Sequence, residues 1–207
     1  MNNLHLQLNY HSHIIHKYYL INICNEIAKL EILYNISKNP KFKRVQLYDS
    51  NTPYFKGVGL YDINLSKPEV SDFEIHERSA TSSSTLLSLP LAEIEQSNHF
   101  LLTGPNGGGK SSFLRAVLQT ILFSQTFGYA VGTTIEMSPF DYILSGLHIE
   151  DIPGKKSLFE KEICFAREVL YCNNPDFKGL VLFDEIFHST NPPDGIKTAN
   201  RFLNKLW

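Results

Sequence analysis

The amino-acid sequence predicts an α/β fold with a largely parallel central sheet, and two observations predict it. After Asn98, short apolar runs with the character of strands alternate with longer segments whose apolar residues recur at helical spacing. Between the first of these strands, at 99–103, and the helix that follows lies a glycine-rich turn, which is typical of sheets that bind a phosphate group. The 207 residues are enough for one such domain with a helical extension.

The first part of the chain predicts the helical extension and a set of peripheral strands. Apolar residues recur at helical spacing over 14–36, and Pro40 predicts the end of this helix because proline cannot donate the next helical hydrogen bond. Short β-prone runs at 46–65 predict peripheral antiparallel strands. We therefore divide the chain into a helical segment, 1–44, and a main domain, 45–207.

Three further elements are predicted in the second half of the chain. Ser157 and Glu160 have the spacing of a capping box, which predicts a helix that continues to about Tyr171. An apolar run at 180–183 predicts a strand, and a last helix is expected from about Asp194. These elements continue the alternation of strands and helices.

Composition and charge indicate an ordinary globular protein. Hydrophobic residues make up 43% of the chain and charged residues 19%, which separates it from disordered and fibrous proteins. The net charge of −2 gives no global attraction to nucleic acid. The three cysteines fit neither a disulfide framework nor a zinc site, and no leader peptide or membrane-spanning run is visible. We therefore expect an intracellular protein.

The glycine-rich turn carries the strongest chemical signal in the sequence. It fits the pattern G-x-x-x-x-G-K-[ST], in which backbone N–H groups surround phosphates at the start of a helix. We expect Lys110 to reach the β and γ phosphates of a nucleoside triphosphate and the Ser111 hydroxyl to bind Mg²⁺. The alternative is a glycine-rich turn without a ligand. The predicted nucleotide-binding residues are Gly104, Pro105, Asn106, Gly107, Gly108, Gly109, Lys110, Ser111 and Ser112.

The strand predicted at 180–183 ends in two carboxylates. Asp184 is expected beside the glycine-rich turn, at the carboxyl end of the strand, where it can hold Mg²⁺. Glu185 is then placed to orient or deprotonate an attacking water, which makes Glu185 and Lys110 the candidate catalytic residues. The alternative is that the two carboxylates cap a helix or a turn.

The helix start at Ser157 leaves two interpretations open. Alone, the capping box only begins a helix. The same helix N-terminus, with Lys156 nearby, could also present N–H groups and a hydroxyl to a γ-phosphate bound by a neighbouring subunit.

Taken together, these motifs resemble the ATPase domain of the MutS family, which belongs to the wider ABC-type ATPases. The P-loop elements TGPN and GKS(S/T)..LR of that family are similar to Thr103-Gly104-Pro105-Asn106 and to Gly109-Lys110-Ser111-Ser112-Phe113-Leu114-Arg115. Its DEI, TS and DG elements are similar to Asp184-Glu185-Ile186, Ser189-Thr190 and Asp194-Gly195. Its signature loop carries serine, phenylalanine and glutamate where this chain has Ser157, Phe159 and Glu162. The helical segment resembles the end of the core-domain helix that leads into the ATPase.

The resemblance implies an ABC-type P-loop NTPase that binds ATP with Mg²⁺, hydrolyses ATP and serves DNA mismatch repair. It implies a homodimer or heterodimer formed through the ATPase face, with Ser157 contacting the nucleotide of the partner in trans. DNA would be bound by domains absent from this chain, and no membrane is implied. Because the family continues beyond the position of Trp207 into a strand that bears a histidine, the ATPase domain is expected to be C-terminally incomplete.

Some features depart from the family and keep alternatives open. The His-Pro pair usual near the start of the family's module is replaced here, so Tyr61 is only a candidate for stacking on the adenine. One alternative is a non-hydrolytic ATP-binding interaction module. The other is a different ABC-type ATPase of DNA repair or chromosome maintenance.

Overall fold

The computed structural model describes residues 2–75, 99–147 and 157–206, with side chains described from residue 20 onward. The helices of these ranges are α1 (Asn2–Lys38), α2 (Lys110–Phe127), α3 (Leu158–Cys172) and α4 (Pro192–Leu206). The strands are β1 (Phe42–Arg44), β2 (Gln46–Leu47), β3 (Phe55–Leu60), β4 (Ser71–Ile75), β5 (Tyr129–Val131), β6 (Thr134–Met137), β7 (Tyr142–Gly146) and β8 (Gly179–Phe183).

The chain divides into two compact units, 1–42 and 43–207. The first unit contains α1, which ends at Lys38, before Pro40, as the sequence predicts. The helix begins at Asn2, well before the predicted start, because no glycine or proline interrupts this stretch. Within the described ranges, no helix has both the length and the apolar character that a membrane crossing requires.

The strands of the second unit pair in a mixed pattern. The order of the largest sheet is β2-β6-β3-β4, in which β2 is parallel to β6 and β3 is antiparallel to both β6 and β4. Strands β7 and β8 are parallel, and β1 pairs with β5. The described residues therefore form a mixed α/β structure, and its assignment to the ABC-type P-loop class stays a prediction.

The prediction of a strand at 99–103 is wrong. None of these residues is in a strand of the described structure, and the side chain of Leu101 is 91% exposed. An apolar run becomes a strand only when a neighbouring strand accepts and donates its backbone hydrogen bonds, so the composition of the run alone is not sufficient.

Strand β8 packs against other elements on both of its faces, with Leu180 and Leu182 buried and Val181 and Phe183 half-buried, and this packing positions the candidate site. Leu180 and Leu182 belong to the core cluster that includes Val117 and Ile121 of α2. Their neighbours Val181 and Phe183 pack into a second cluster that is formed with α3 and α4. Since successive side chains of a strand point to opposite faces, β8 lies between α2 on one side and α3 with α4 on the other. The end of β8 is thereby brought to the start of α2.

Candidate functional site

The glycine-rich turn reaches α2 through two residues in the left-handed conformation. Gly107 has a φ of 78° and Gly109, the N-cap of α2, has a φ of 83°. A Cβ at either position would meet no atom within 4 Å, so these glycines are required by backbone conformation and not by lack of space. Gly108 is different, because its N–H donates to the Pro105 carbonyl at 3.0 Å and a Cβ there would lie 2.9 Å from that same oxygen.

The Lys110 side chain folds back over this turn. Its ammonium nitrogen donates hydrogen bonds of 2.9 Å to the carbonyl oxygens of Gly104 and Pro105. A phosphate oxygen carries a full charge and is a stronger acceptor than either carbonyl. The structure therefore holds the ammonium at the turn that the sequence predicts for phosphate binding.

Ser111 and Asp184 meet in the structure, although they are 73 positions apart in the sequence. The Ser111 hydroxyl donates a short hydrogen bond of 2.5 Å to Asp184 Oδ2. Ser111 lies in the first turn of α2, and Asp184 follows β8 directly. This hydrogen bond joins the glycine-rich turn to the acidic end of the strand.

The donor atoms of this pair suit Mg²⁺. Magnesium prefers oxygen ligands and usually takes only one or two from the protein, with water and phosphate oxygens completing its shell. The Ser111 hydroxyl and the Asp184 carboxylate are such ligands, and both are half-buried beside an open turn. The chemistry of these two side chains therefore fits their predicted role as magnesium ligands.

Glu185 lies next to Asp184 on the turn that follows β8. Its side chain is exposed, and its backbone has a φ of 53°, in the left-handed region. Residues with a Cβ adopt this region at a cost, and such residues are frequent at functional sites. The action of Glu185 on water stays a prediction.

Ser157 precedes α3 and exchanges two hydrogen bonds with Glu160 in the first turn of that helix. Its hydroxyl accepts from the Glu160 N–H at 3.2 Å, and its own N–H donates to the Glu160 carboxylate at 2.9 Å. The predicted capping box is confirmed. The segment before it, 148–156, lies outside the described residues, and the role of Ser157 in trans stays a prediction.

Sequence reasoning missed a network that fastens α2 to the loop after β3. The Asp62 carboxylate, with 1% of its side chain exposed, accepts hydrogen bonds from Arg115 Nε at 2.8 Å and from Gln119 at 3.0 Å. Burial by itself would raise the pKa of Asp62, but the bonds from Arg115, Gln119 and the Asn64 N–H hold that pKa below its ordinary value of 3.8. Arg115 also donates to Ser112 at 3.1 Å, so the network reaches the first turn of α2.

Comparison with known proteins places this site within a described family of domains. The family model described as MutS domain V matches residues 100–207. The DNA mismatch repair protein MSH3 of Kluyveromyces lactis is 34% identical over 106 residues, which cover 50% of this chain and 10% of that protein. MSH3 of Yarrowia lipolytica is 36% identical over 104 residues, which cover 50% of this chain and 10% of the relative.

A bacterial relative shows the same extent of similarity. The DNA mismatch repair protein MutS of Pelotomaculum thermopropionicum is 33% identical over 106 residues, which cover 51% of this chain and 12% of that protein. The matched segment therefore spans only about a tenth of the length of these relatives. In each case the similarity concerns about half of the present chain.

Proposed function

This chain belongs to the MutS family, and from that premise we propose that its main domain, 45–207, binds and hydrolyses ATP with Mg²⁺ as part of a DNA mismatch repair protein. The relatives named above are DNA mismatch repair proteins. We extend that role to this chain because the matched residues include the glycine-rich turn and the acidic strand end. An intracellular location follows from the same proposal.

The hydrogen bond between Ser111 and Asp184 supports the proposal most directly. A site for a magnesium-bound triphosphate needs a phosphate-binding turn and a carboxylate within reach of one another. In the structure, the serine that follows Lys110 bonds to the carboxylate that ends β8. A purely structural glycine-rich turn would not require this contact.

Each residue of the site has a defined part in the proposed reaction. The backbone N–H groups of the turn and the Lys110 ammonium bind the phosphates, while Ser111 and Asp184 hold the magnesium ion. When bound, Mg²⁺ would neutralise phosphate charge. Glu185 orients a water molecule for in-line attack and accepts its proton. Positioning and charge neutralisation provide most of the catalysis in such reactions, because the protein itself forms no covalent bond.

The proposed function includes a partner subunit. We propose a homodimer or heterodimer formed through the ATPase face, in which the α3 N-terminus of one protomer presents Ser157 to the nucleotide of the other. Nucleotide binding would favour this dimer and hydrolysis would release it. DNA would be contacted by other parts of the full protein.

A binding assay and a turnover assay test the proposal together. We expect Lys110→Ala to weaken binding of a fluorescent ATP analogue at least tenfold, because the phosphates lose a charged donor. Glu185→Gln should bind the analogue as wild type does and release phosphate about 100-fold more slowly, because the general base is lost. Lys197→Ala, which removes an exposed lysine of α4, is the matched control and should change neither quantity.

Two outcomes would contradict the proposal in different ways. If wild type and Lys110→Ala bind the analogue equally weakly, the glycine-rich turn is not a nucleotide site. If wild type binds but releases phosphate no faster than Glu185→Gln, the chain is a non-hydrolytic binding module.

A further inference from the structure

A buried carboxylate of α3 is directed at the turn that carries Glu185. The Glu162 side chain is only 7% exposed. One of its oxygens accepts a hydrogen bond from the Ser189 hydroxyl, and the other lies 3.1 Å from His188 Nδ1. Because a buried carboxylate is costly unless it is hydrogen-bonded, this pairing fixes the position of the turn relative to α3.

The same imidazole nitrogen also contacts the backbone of Glu185. His188 Nδ1 lies 2.9 Å from the Glu185 carbonyl oxygen. Both neighbours of Nδ1 are acceptors, so only a ring with its proton on Nδ1 satisfies them, and that N–H is shared between the two oxygens. His188 therefore connects the buried carboxylate to the peptide group of the proposed catalytic residue.

The turn needs such support because two of its non-glycine residues are in the left-handed conformation. Glu185 and Phe187 both have a φ of 53°. This region is unfavourable for residues with a Cβ and persists only where neighbouring contacts determine it. Phe187 is buried, with its ring centroid 6.0 Å from that of Phe202 and 6.4 Å from that of Phe159. At Glu185, the described hydrogen bond that supports the turn is the one from His188 Nδ1 to the Glu185 carbonyl oxygen.

We propose that His188, held by Glu162, is a positioning residue that keeps the Glu185 backbone in its left-handed conformation and so directs the Glu185 carboxylate toward the attacking water. The inference rests on the proposed hydrolysis of ATP and specifies how its general base is oriented. It assigns no substrate contact to His188. Loss of His188 should therefore affect the rate of the chemical step and not the binding of nucleotide.

Three variants of the 207-residue chain test this positioning role. His188→Ala removes the connection, whereas His188→Asn places an amide N–H donor near the position of Nδ1 and serves as the conservative rescue. Ser189→Ala removes the other hydrogen bond of Glu162 and leaves the link to Glu185 in place. The measurements are kcat and KM for ATP, amide hydrogen exchange of residues 185–189, and the midpoint of thermal unfolding.

We expect His188→Ala to lower kcat about tenfold or more with KM within about twofold of wild type, the size expected for losing a hydrogen bond to a charged group. Amide exchange at 185–189 should accelerate about tenfold, with little change elsewhere. His188→Asn should recover part of both effects, and Ser189→Ala should show smaller ones. A uniform fall in unfolding temperature without the kcat effect would reveal a merely structural contact and overturn the proposal.

Failure of the proposed hydrolysis and failure of the positioning role give different results. If wild type releases no phosphate, the proposed hydrolysis fails, and amide exchange alone then decides whether His188 holds the turn. If wild type is active and His188→Ala matches it in kcat, or if exchange at 185–189 is the same in both, the positioning role is contradicted.

Discussion

Asp62 holds the loop after β3 to the helix of the glycine-rich turn through its carboxylate. Replacing it by asparagine removes the charge that Arg115 and Gln119 share, at distances of 2.8 Å and 3.0 Å. We expect Asp62→Asn to lower the free energy of unfolding by about 1.5 to 3 kcal/mol, the range for hydrogen bonds to charged groups. Arg115 is 30% exposed, so water replaces part of the lost interaction and favours the lower half of that range. Urea unfolding at neutral pH measures the change.

The pH dependence of this difference provides the control. The folded-state pKa of Asp62 lies below its ordinary value of 3.8, so its contribution is complete at pH values well above 3.8 and is lost as the pH falls through the folded-state pKa. The stability gap between wild type and Asp62→Asn should therefore narrow below about pH 4. A gap that stays constant from pH 6 to pH 3 would contradict the assigned role of the carboxylate.

Individual site residues differ in how far the sequence could identify them. The glycine-rich turn was predictable because its chemistry depends on spacing within a single segment, from Gly104 to Ser111. The contact between Ser111 and Asp184 could be expected from strand topology. The pairing of Asp62 with Arg115 could not be expected, because the residues are 53 positions apart and no local sequence pattern identifies either residue as the partner of the other.

At the scale of elements, the turn after β8 and the start of α4 fit together through Gly195. A Cβ at this position would lie 2.6 Å from the Phe187 carbonyl oxygen, which is backbone and cannot rotate away. We expect Gly195→Ala to destabilise the fold by about 1 to 3 kcal/mol, although alanine is intrinsically the better helix former by about 1 kcal/mol. Thermal or urea unfolding measures the effect.

Gly104→Ala is the matched control for this substitution. A Cβ there would meet only aliphatic carbons of Lys110, at 3.9 Å, which is ordinary contact. Its stability should stay within about 0.5 kcal/mol of wild type. If Gly195→Ala is as stable as Gly104→Ala, then the turn after β8 does not pack on α4 as described.

The helices were more predictable than the strands because their signals are local. The capping box at Ser157 predicted the start of α3, and helical spacing of apolar residues after the glycine-rich turn predicted α2. Strand β8 was recognised from its unbroken apolar run, which is typical of a strand that packs on both faces. The equally apolar run at 99–103 formed no strand within the described ranges, since pairing depends on distant residues that composition does not specify.

At the scale of the whole molecule, the main domain is organised around β8. One face of this strand packs in the cluster that includes α2, and the other packs in the cluster formed with α3 and α4. The packing of β8 against α2 explains why Ser111, in the first turn of α2, meets Asp184 at the end of the strand. The alternation of elements predicted an α/β structure, whereas the mixed pairing of the largest sheet depends on long-range register that the sequence pattern does not contain.

Calorimetry of ATP binding with and without Mg²⁺, on wild type, Ser111→Ala and Asp184→Asn, tests whether Ser111 and Asp184 form a magnesium site. We predict that wild type binds ATP more tightly with Mg²⁺ than without it, and that this gain falls at least tenfold in either variant, because each removes an oxygen ligand of the ion. Equal ATP affinity with and without Mg²⁺ in all three proteins would contradict the account, since Ser111 and Asp184 would then meet for structural reasons alone.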